Sequence, residues 1–475
     1  MRAALAFLLL AAPAWAQSPA PIASPAPATQ RTAQGAAGPG MMALPLPRGT
    51  RVLGLEEAER LLLERNLSVI AAQRGVDAVR AQRLVASSLP PAEVSVGNTF
   101  AEFNTTQNNR VQGSRFISPA NNISVGLTVL IERGGKRTLR TRLAEENIGV
   151  AEAQVLDALR GQFFALRQAF IAALAARANL EVALANRGSL DRTEALLRRQ
   201  LQDGALPEGD LLRFQASRLP FEAEVTAAAQ NYAAAVAQVA VALALDAAAF
   251  NTTTTAALPP VALDVRGRFD AMPTPGVTRD ELADAVQNRA DVVAASRAAA
   301  AGAANTSLAE AQRSRDVTLN GGWSRSRLSQ DLPSASQPLN STNQFTFNLS
   351  VPIFTQQIVR GQIGTAAGQQ AQLEAQARLA LLQGRADFAT AWAAYEQSRA
   401  LLRLFTGGAL NRAELAYRSA EQAYLSGGRS LLDVLDALRT LNATRVAANN
   451  ARAAYLTALA QLEFATGVSG LAARL

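Results

Sequence analysis

The stretch Gln344–Phe354, QFTFNLSVPIF, sets the tightest constraint on the fold. Phe345, Phe347, Leu349, Val351 and Ile353 alternate with Thr346, Asn348, Ser350 and Pro352. Period-two patterning marks a strand with one apolar and one polar face. Pro352 is the last proline, and the Ala-, Gln- and Leu-rich chain beyond it reads as helix almost to Leu475. Any fold for this chain must join a two-faced strand directly to a great deal of helix.

Composition narrows the chemistry. The 475 residues include no cysteine and no histidine. That removes disulfides, thiolate metal sites and thiol nucleophiles, together with the commonest general base and transition-metal ligand. No Asp/Glu cluster resembles a calcium loop. The sequence therefore argues against an enzyme and implies no cofactor or metal. The net charge is +8 and the pI about 10.7. Its arginines are spread among alanines and glutamines, with Lys136 the single lysine. No basic run interleaved with aromatics stands out, so a solvated helix surface accounts for the charge and no nucleic-acid partner is implied.

Residues 1–16, MRAALAFLLLAAPAWA, have an early arginine, an apolar stretch and an Ala14-Trp15-Ala16 cleavage pattern. They read as a secretory signal peptide. Residues 17–52 are rich in Pro, Ala and Gly and are expected to be disordered. Beyond the signal, no run of 18 or more consecutive apolar residues suggests a spanning helix. A membrane segment would have to be β-structure.

The remainder repeats itself at an offset of about 223 residues. ERNLSVIAAQR (Glu64–Arg74) lines up with QNRADVVAASR (Gln287–Arg297), AEVSVG (Ala92–Gly97) with RDVTLN (Arg315–Asn320), and LTVLI (Leu127–Ile131) with LSVPI (Leu349–Ile353). Gly204, Asp210 and Tyr232 fall opposite Gly427, Asp433 and Tyr455. The first repeat spans 53–250, with a short helix over 55–87, strands near 93–103 and 122–131, and helices over 132–204 and 210–245. A Thr/Pro-rich linker covers 251–277. The second repeat, 278–475, has a short helix over 278–312, strands near 316–325 and 344–354, and helices over 355–426 and 430–464. The loops between the strands are rich in Asn, Ser, Gln and Pro, as suits exposed hairpin ends.

A membrane strand needs about 9–11 residues, and Phe345–Phe354 fits. Thr346, Asn348 and Ser350 suit a wet lumen. Four strands cannot close a barrel, because outer-membrane barrels begin at eight. Two copies would give eight strands around a filled interior, whereas three give twelve around an aqueous passage. A homotrimer sharing one barrel, set against outer-membrane lipid, is the simplest conduit. A soluble four-stranded sheet beside a helical bundle is the competing layout.

The chain resembles the outer-membrane efflux protein (TolC-like) family over roughly Leu53–Gly467. The resemblance is carried by LSVPIF, NRADVVAA, AYLTALAQLEFATG (Ala454–Gly467) and, most specifically, YLSGGRSLLDVLDALRTL (Tyr424–Leu441). IERGGKRTLRTRLAEENIGVAEA (Ile131–Ala153) is similar to the GGKR segment of the cobalt–zinc–cadmium resistance branch. The resemblance implies a mainly α protein with a twelve-stranded trimeric barrel and a long periplasmic helical tunnel. The location it implies is the outer membrane of a Gram-negative bacterium. The function would be the exit duct of a tripartite pump that expels small toxic compounds or metal ions. Its partners would be a periplasmic adaptor and an inner-membrane transporter of the resistance–nodulation–division class. A type I protein secretion duct and a structural coiled-coil surface protein are the alternatives.

By match to the family motif, the turns at Gly204 and at Gly427 and Gly428 form the periplasmic tips. Tyr424 and Arg429 on one hairpin would bond Asp210 on the other and hold the entrance shut, the guanidinium offering a planar donor fork to the carboxylate. Asp433 and Asp436, three apart on one helix face, would form acidic rings at the aperture and select cations. Ser430–Asp433 is also a capping box, and Asp210 stands near a helix start after Pro207, so helix capping competes for both.

Overall fold

The computed structural model describes residues 51–99, 122–204, 207–245, 263–270, 272–327, 331–332, 335–336 and 341–475. The signal segment, the Pro/Ala-rich tract up to residue 50, residues 100–103 of the first expected strand, residues 246–250 at the end of the first repeat and residues 251–262 of the linker lie outside them.

Strand β1 (Arg51–Leu53) leads into helices α1 (Leu55–Arg65) and α2 (Leu67–Ser87). Strands β2 (Glu93–Thr99) and β3 (Asn122–Ile131) follow, then α3 (Lys136–Gln202) and α4 (Glu208–Ala242). After β4 (Leu263–Val265) come α5 (Arg279–Ala285), a single 3₁₀ turn and α6 (Ala290–Ala311). Strands β5 (Val317–Arg327) and β8 (Ser341–Ser350) are separated by the two-residue pair β6 (Asp331–Leu332) and β7 (Ala335–Ser336). The chain ends with α7 (Gln356–Leu404), α8 (Leu410–Leu425) and α9 (Leu431–Thr466).

The membrane-type strands form one antiparallel sheet in the order β2-β3-β5-β8. Register assigns every side chain a face. Val94, Val96, Ile123, Val125 and Leu127 share one face with Leu319, Trp323, Phe345, Phe347 and Leu349. Phe345 and Phe347 are each 83% exposed. So much bare apolar surface on one sheet calls for a cover that water cannot supply. Thr346, Asn348 and Ser350 fall on the opposite face with Thr318, Asn320 and Ser324. There Thr128 Oγ1 donates to Asn320 Oδ1 at 2.8 Å.

Strand β8 stops at Ser350, short of the expected Phe354. Pro352 brings no donor to a ladder, and Phe354 adopts a left-handed φ of 58° that turns the chain into α7. After β3 the same corner uses Gly134 and Gly135, with φ of 75° and 67°. A Cβ on Gly134 would lie 2.6 Å from Ser314 Cβ, whereas one on Gly135 would meet nothing within 4 Å. Lys136, only 4% exposed, closes the corner by donating to both oxygens of Asp316 at 2.8 and 2.9 Å. Asp316 also accepts from the Arg133 amide at 3.0 Å.

Helix α3 runs unbroken for 67 residues, about 100 Å of helix. It contains the one window among the described residues that is long and apolar enough to suggest a membrane span. Its apolar centre is core instead: Leu166, Phe170, Ile171, Leu174 and Leu180 are buried against Tyr232, Val236, Tyr455 and Leu459. The expected helix over 355–426 is not continuous. It breaks at Phe405–Ala409, where Gly407 has ψ of 16° and Gly408 has φ of 109°. Consecutive glycines give up the helix cheaply because neither carries a Cβ.

Two further segments differ from the sequence expectation. The short helix over 55–87 divides at Asn66, whose side chain accepts from the amides of Ser68 and Val69 at 3.0 and 3.1 Å. Its amide donates to Gln162 and to the Ala242 carbonyl. Strand β1 begins inside the segment expected to be disordered, and it pairs in parallel with β4 of the linker. Asp264 of β4 is fully buried. It meets Arg177 in an ion pair and accepts from Tyr232 Oη at 2.7 Å and Arg266 Nε at 2.8 Å. Burial pushes its carboxyl up, but these donors outweigh burial and hold it below the usual carboxylate range.

The glycine pair predicts an asymmetry. Gly134→Ala should cost about 1–2 kcal/mol in backbone strain plus the clash with Ser314, and Gly135→Ala only the strain. Thermal unfolding followed by circular dichroism should rank wild type above Gly135→Ala above Gly134→Ala.

Candidate functional site

The two helical hairpin turns lie together. Leu190, Leu197, Leu211, Phe214 and Phe221 of the α3–α4 hairpin pack with Leu435 and Leu438 of α9. Tyr417, Tyr424 and Leu431 close over the same cluster. Burial of these side chains holds one hairpin against the other, at about 25 cal/mol per Å² of apolar surface removed from water.

The first turn leaves α3 through Gly204, whose φ of 71° suits glycine. Residues 205–206 lie outside the described set, and Pro207 precedes the first residue of α4. Asp210 sits in the first turn of α4, where a carboxylate complements the helix dipole. Its nearest cation is Arg213, at 3.9 Å and largely exposed. The second turn leaves α8 through Gly427, with φ of 79°. The Gly428 amide donates to the Ala423 carbonyl at 2.8 Å and the Gly427 amide to that of Tyr424 at 2.9 Å, satisfying the last carbonyls of α8.

Ser430 then caps α9. The Asp433 amide donates to Ser430 Oγ at 3.3 Å, and Asp433 Oδ2 accepts from the Ser430 amide at 3.1 Å. The capping box is thus complete, and one oxygen of Asp433 is committed to it. Asp436 stands a turn deeper in the helix. Its side chain is 75% exposed and lies 3.4 Å from Arg439 Nη1, an exposed pair worth little.

Tyr424 is half-buried beside Asp210. Burial first, and the negative charge of Asp210 second, push its phenol pKa up. Within the chain, neither Tyr424 nor Arg429 hydrogen-bonds Asp210. Arg429 is exposed and makes no hydrogen bond or ion pair among the described residues. The structure therefore brings Tyr424 and Asp210 together and leaves the guanidinium facing solvent.

Sequence reading missed the strongest electrostatic feature of this region. Glu194 of α3 is 7% exposed and is held by Arg198 at 2.6 Å, Gln215 Nε2 at 2.9 Å and Arg218. Arg218 of α4 also pairs with Asp191 and with Glu222, the latter at 2.8 Å. The Gln215 hydrogen bond leads in holding the Glu194 carboxyl below its usual range. Burial opposes it only partly, and the arginines add to the lowering. The i,i+3 spacing of Asp191 and Glu194 and the i,i+4 spacing of Arg218 and Glu222 mark two charged helix faces. Only the folded hairpin shows that those faces meet.

Residues 282–468 match the family model described as outer membrane efflux protein. Over these residues the chain is similar to this family, whose location is the outer membrane. No curated protein matches it. Solved structures share its fold. The CmeC outer membrane channel of Campylobacter jejuni is 16% identical, with a TM-score of 0.68 covering 90% of this chain and 90% of that one. The outer membrane protein VceC of Vibrio cholerae is 19% identical, with a TM-score of 0.64 covering 87% and 96%. The MtrE outer membrane channel of Neisseria gonorrhoeae, solved in its open state, is 20% identical, with a TM-score of 0.63 covering 87% and 88%. The family and these neighbours are channels rather than enzymes.

The Glu194 cluster has a pH signature. A carboxylate held low in the folded state contributes stability above its unfolded value of 4.5. That contribution is lost as pH falls through the depressed folded value. Glu194→Gln should lower the unfolding temperature at pH 7, and the gap to wild type should narrow as pH falls below 4.5. A constant gap across that range would assign the loss to packing.

Proposed function

We propose that the chain is the exit duct of a tripartite efflux pump, passively conducting small toxic compounds or metal ions from periplasm to exterior. One observation carries this reading: a four-stranded antiparallel sheet, with both edges open among the described residues and one apolar face, continues directly into two long helices, α3 of about 100 Å and α7 of about 74 Å. Three such sheets, joined β2 to β8, complete a twelve-stranded barrel with Thr346, Asn348 and Ser350 toward its lumen. The paired helices extend the passage through the periplasm. A periplasmic adaptor and an inner-membrane transporter of the resistance–nodulation–division class supply the cargo and the energy.

The hairpin turns form the periplasmic entrance. Arg429, unpaired among the described residues, has its carboxylate in the assembled tip, with Asp210 the acceptor and Tyr424 packed beside it. Each contact is weak, but threefold repetition multiplies it. Opening follows when an adaptor binds the splayed form better than the closed one. Asp436, exposed and not used as a cap, is the stronger ring residue. Asp433 serves the cap and the ring together.

The GGKR segment supports metal ions as cargo through sequence resemblance alone. In this chain its glycines and lysine hold the strand-to-helix corner.

Reconstituted into planar bilayers, the Asp210→Ala and Arg429→Ala variants should conduct more than wild type. Asp436→Asn should weaken block by multivalent cations more than Asp433→Asn does. Unchanged conductance in both gate variants would refute the lock, and block retained in both asparagine variants would refute the ring.

A further inference from the structure

The register of the sheet stacks its polar face into rungs. They read Glu93–Thr128–Asn320–Asn348, Ser95–Gly126–Gly322–Thr346 and Gly97–Ser124–Ser324–Gln344. Among the described strand residues on this face, Glu93 is the one ionisable side chain. It is exposed and makes no hydrogen bond or ion pair among the described residues. Other charges at this end of the sheet are matched: Lys136 holds Asp316, and Arg140 holds Glu132. Arg133 and Arg315 lie two residues beyond Ile131 and two before Val317, which continues the parity of the apolar face.

The rung has a definite height. Glu93 opens β2, Thr128 and Asn348 lie near the ends of β3 and β8, and Asn320 lies near the start of β5. All four therefore stand at the end of the sheet where the chain enters or leaves helix. Above them the polar face is built from Ser, Thr, Gln and Gly alone through the next two rungs.

We propose that Glu93 is a charge-selectivity residue of the duct. Three copies place three carboxylates in a ring at the helical mouth of the barrel lumen, favouring cationic over anionic cargo there. This rests on the reading of the chain as a barrel-forming duct. It is separate from the aspartates of the helical tips, which stand at the far ends of α3 and α8.

The size of the effect follows from barrel geometry. Strands about 4.8 Å apart and tilted by about 40° give a twelve-stranded backbone radius of about 12 Å. The charges act through water, over a Debye length of about 30 Å at 10 mM salt and about 8 Å at 0.15 M. Three carboxylates at that radius enrich a monovalent cation on the axis about threefold at 10 mM and about 1.5-fold at 0.15 M. In 1 M salt the effect vanishes.

Two measurements on the full-length assembly test this. The first is the reversal potential of reconstituted channels across a 10 to 100 mM potassium chloride gradient. It is made in an Asp433→Asn, Asp436→Asn background, so that the tips do not mask the barrel. Glu93→Gln should lower the potassium-to-chloride permeability ratio at least about twofold. Glu93→Lys should lower it further, and the three should converge in 1 M salt. Conducting channels with the same ratio in all three proteins would overturn the proposal while leaving the duct reading intact. Absence of any conducting channel would count against the duct reading itself.

The second measurement needs no current. Because the chain has no cysteine, Glu93→Cys and Val94→Cys each carry a unique thiol. In proteoliposomes, a membrane-impermeant methanethiosulfonate should modify Cys at 93 and spare Cys at 94. The reverse pattern would place Glu93 against lipid and overturn the proposal.

Discussion

Unpaired strand edges govern this structure. Among the described residues, strands β2 and β8 each have one side bonded and one side open. Lipid offers no hydrogen-bond partners, and each unsatisfied backbone group costs several kcal/mol there. The apolar face of Val96, Val125, Phe345 and Phe347 is equally unsuited to water. In the proposed duct, the sheet meets both demands by closing its edges on other copies and turning its apolar face to lipid. The helices then follow from topology, because β3 and β8 both leave the sheet at the same end.

The two hairpins are held differently. The α3–α4 hairpin is continuous and laced across by Arg218, Asp191, Glu194 and Glu222. The second is interrupted at Gly407 and Gly408, and a pair between Arg445 and Glu414 joins α9 to α8 at 2.7 Å. Asn442 of α9 donates to Glu224 of α4 at 2.7 Å, so the hairpins are also tied side by side. A continuous hairpin and an interrupted one thus pack on one shared apolar cluster.

Periodic features were legible in the sequence, and features made by tertiary contact were not. The alternation from Phe345 to Ser350 and the apolar spacing along α3 repeat often enough to mark strand and helix. The Ser430–Asp433 cap was readable because local chemistry dictates it, whereas the turns at Gly204 and Gly427 were legible through the family motif. The end of β8 was overextended because Val351 and Ile353 keep the alternation after the ladder has stopped. The Gly407–Gly408 break was missed because only proline had been treated as a helix breaker. The β1–β4 pair is too short to show a pattern, and it exists because Asp264 is buried among Arg177, Tyr232 and Arg266. At the tips, the residue types were legible, but Arg429 makes no hydrogen bond or ion pair among the described residues.

The most direct measurement of the central claim is the native mass of the protein extracted from membranes in mild detergent. Closure of a four-stranded sheet around an aqueous lumen predicts three chains per particle, in an assembly that remains intact until the strands unfold. A folded single chain, or a dimer with eight strands, would contradict it.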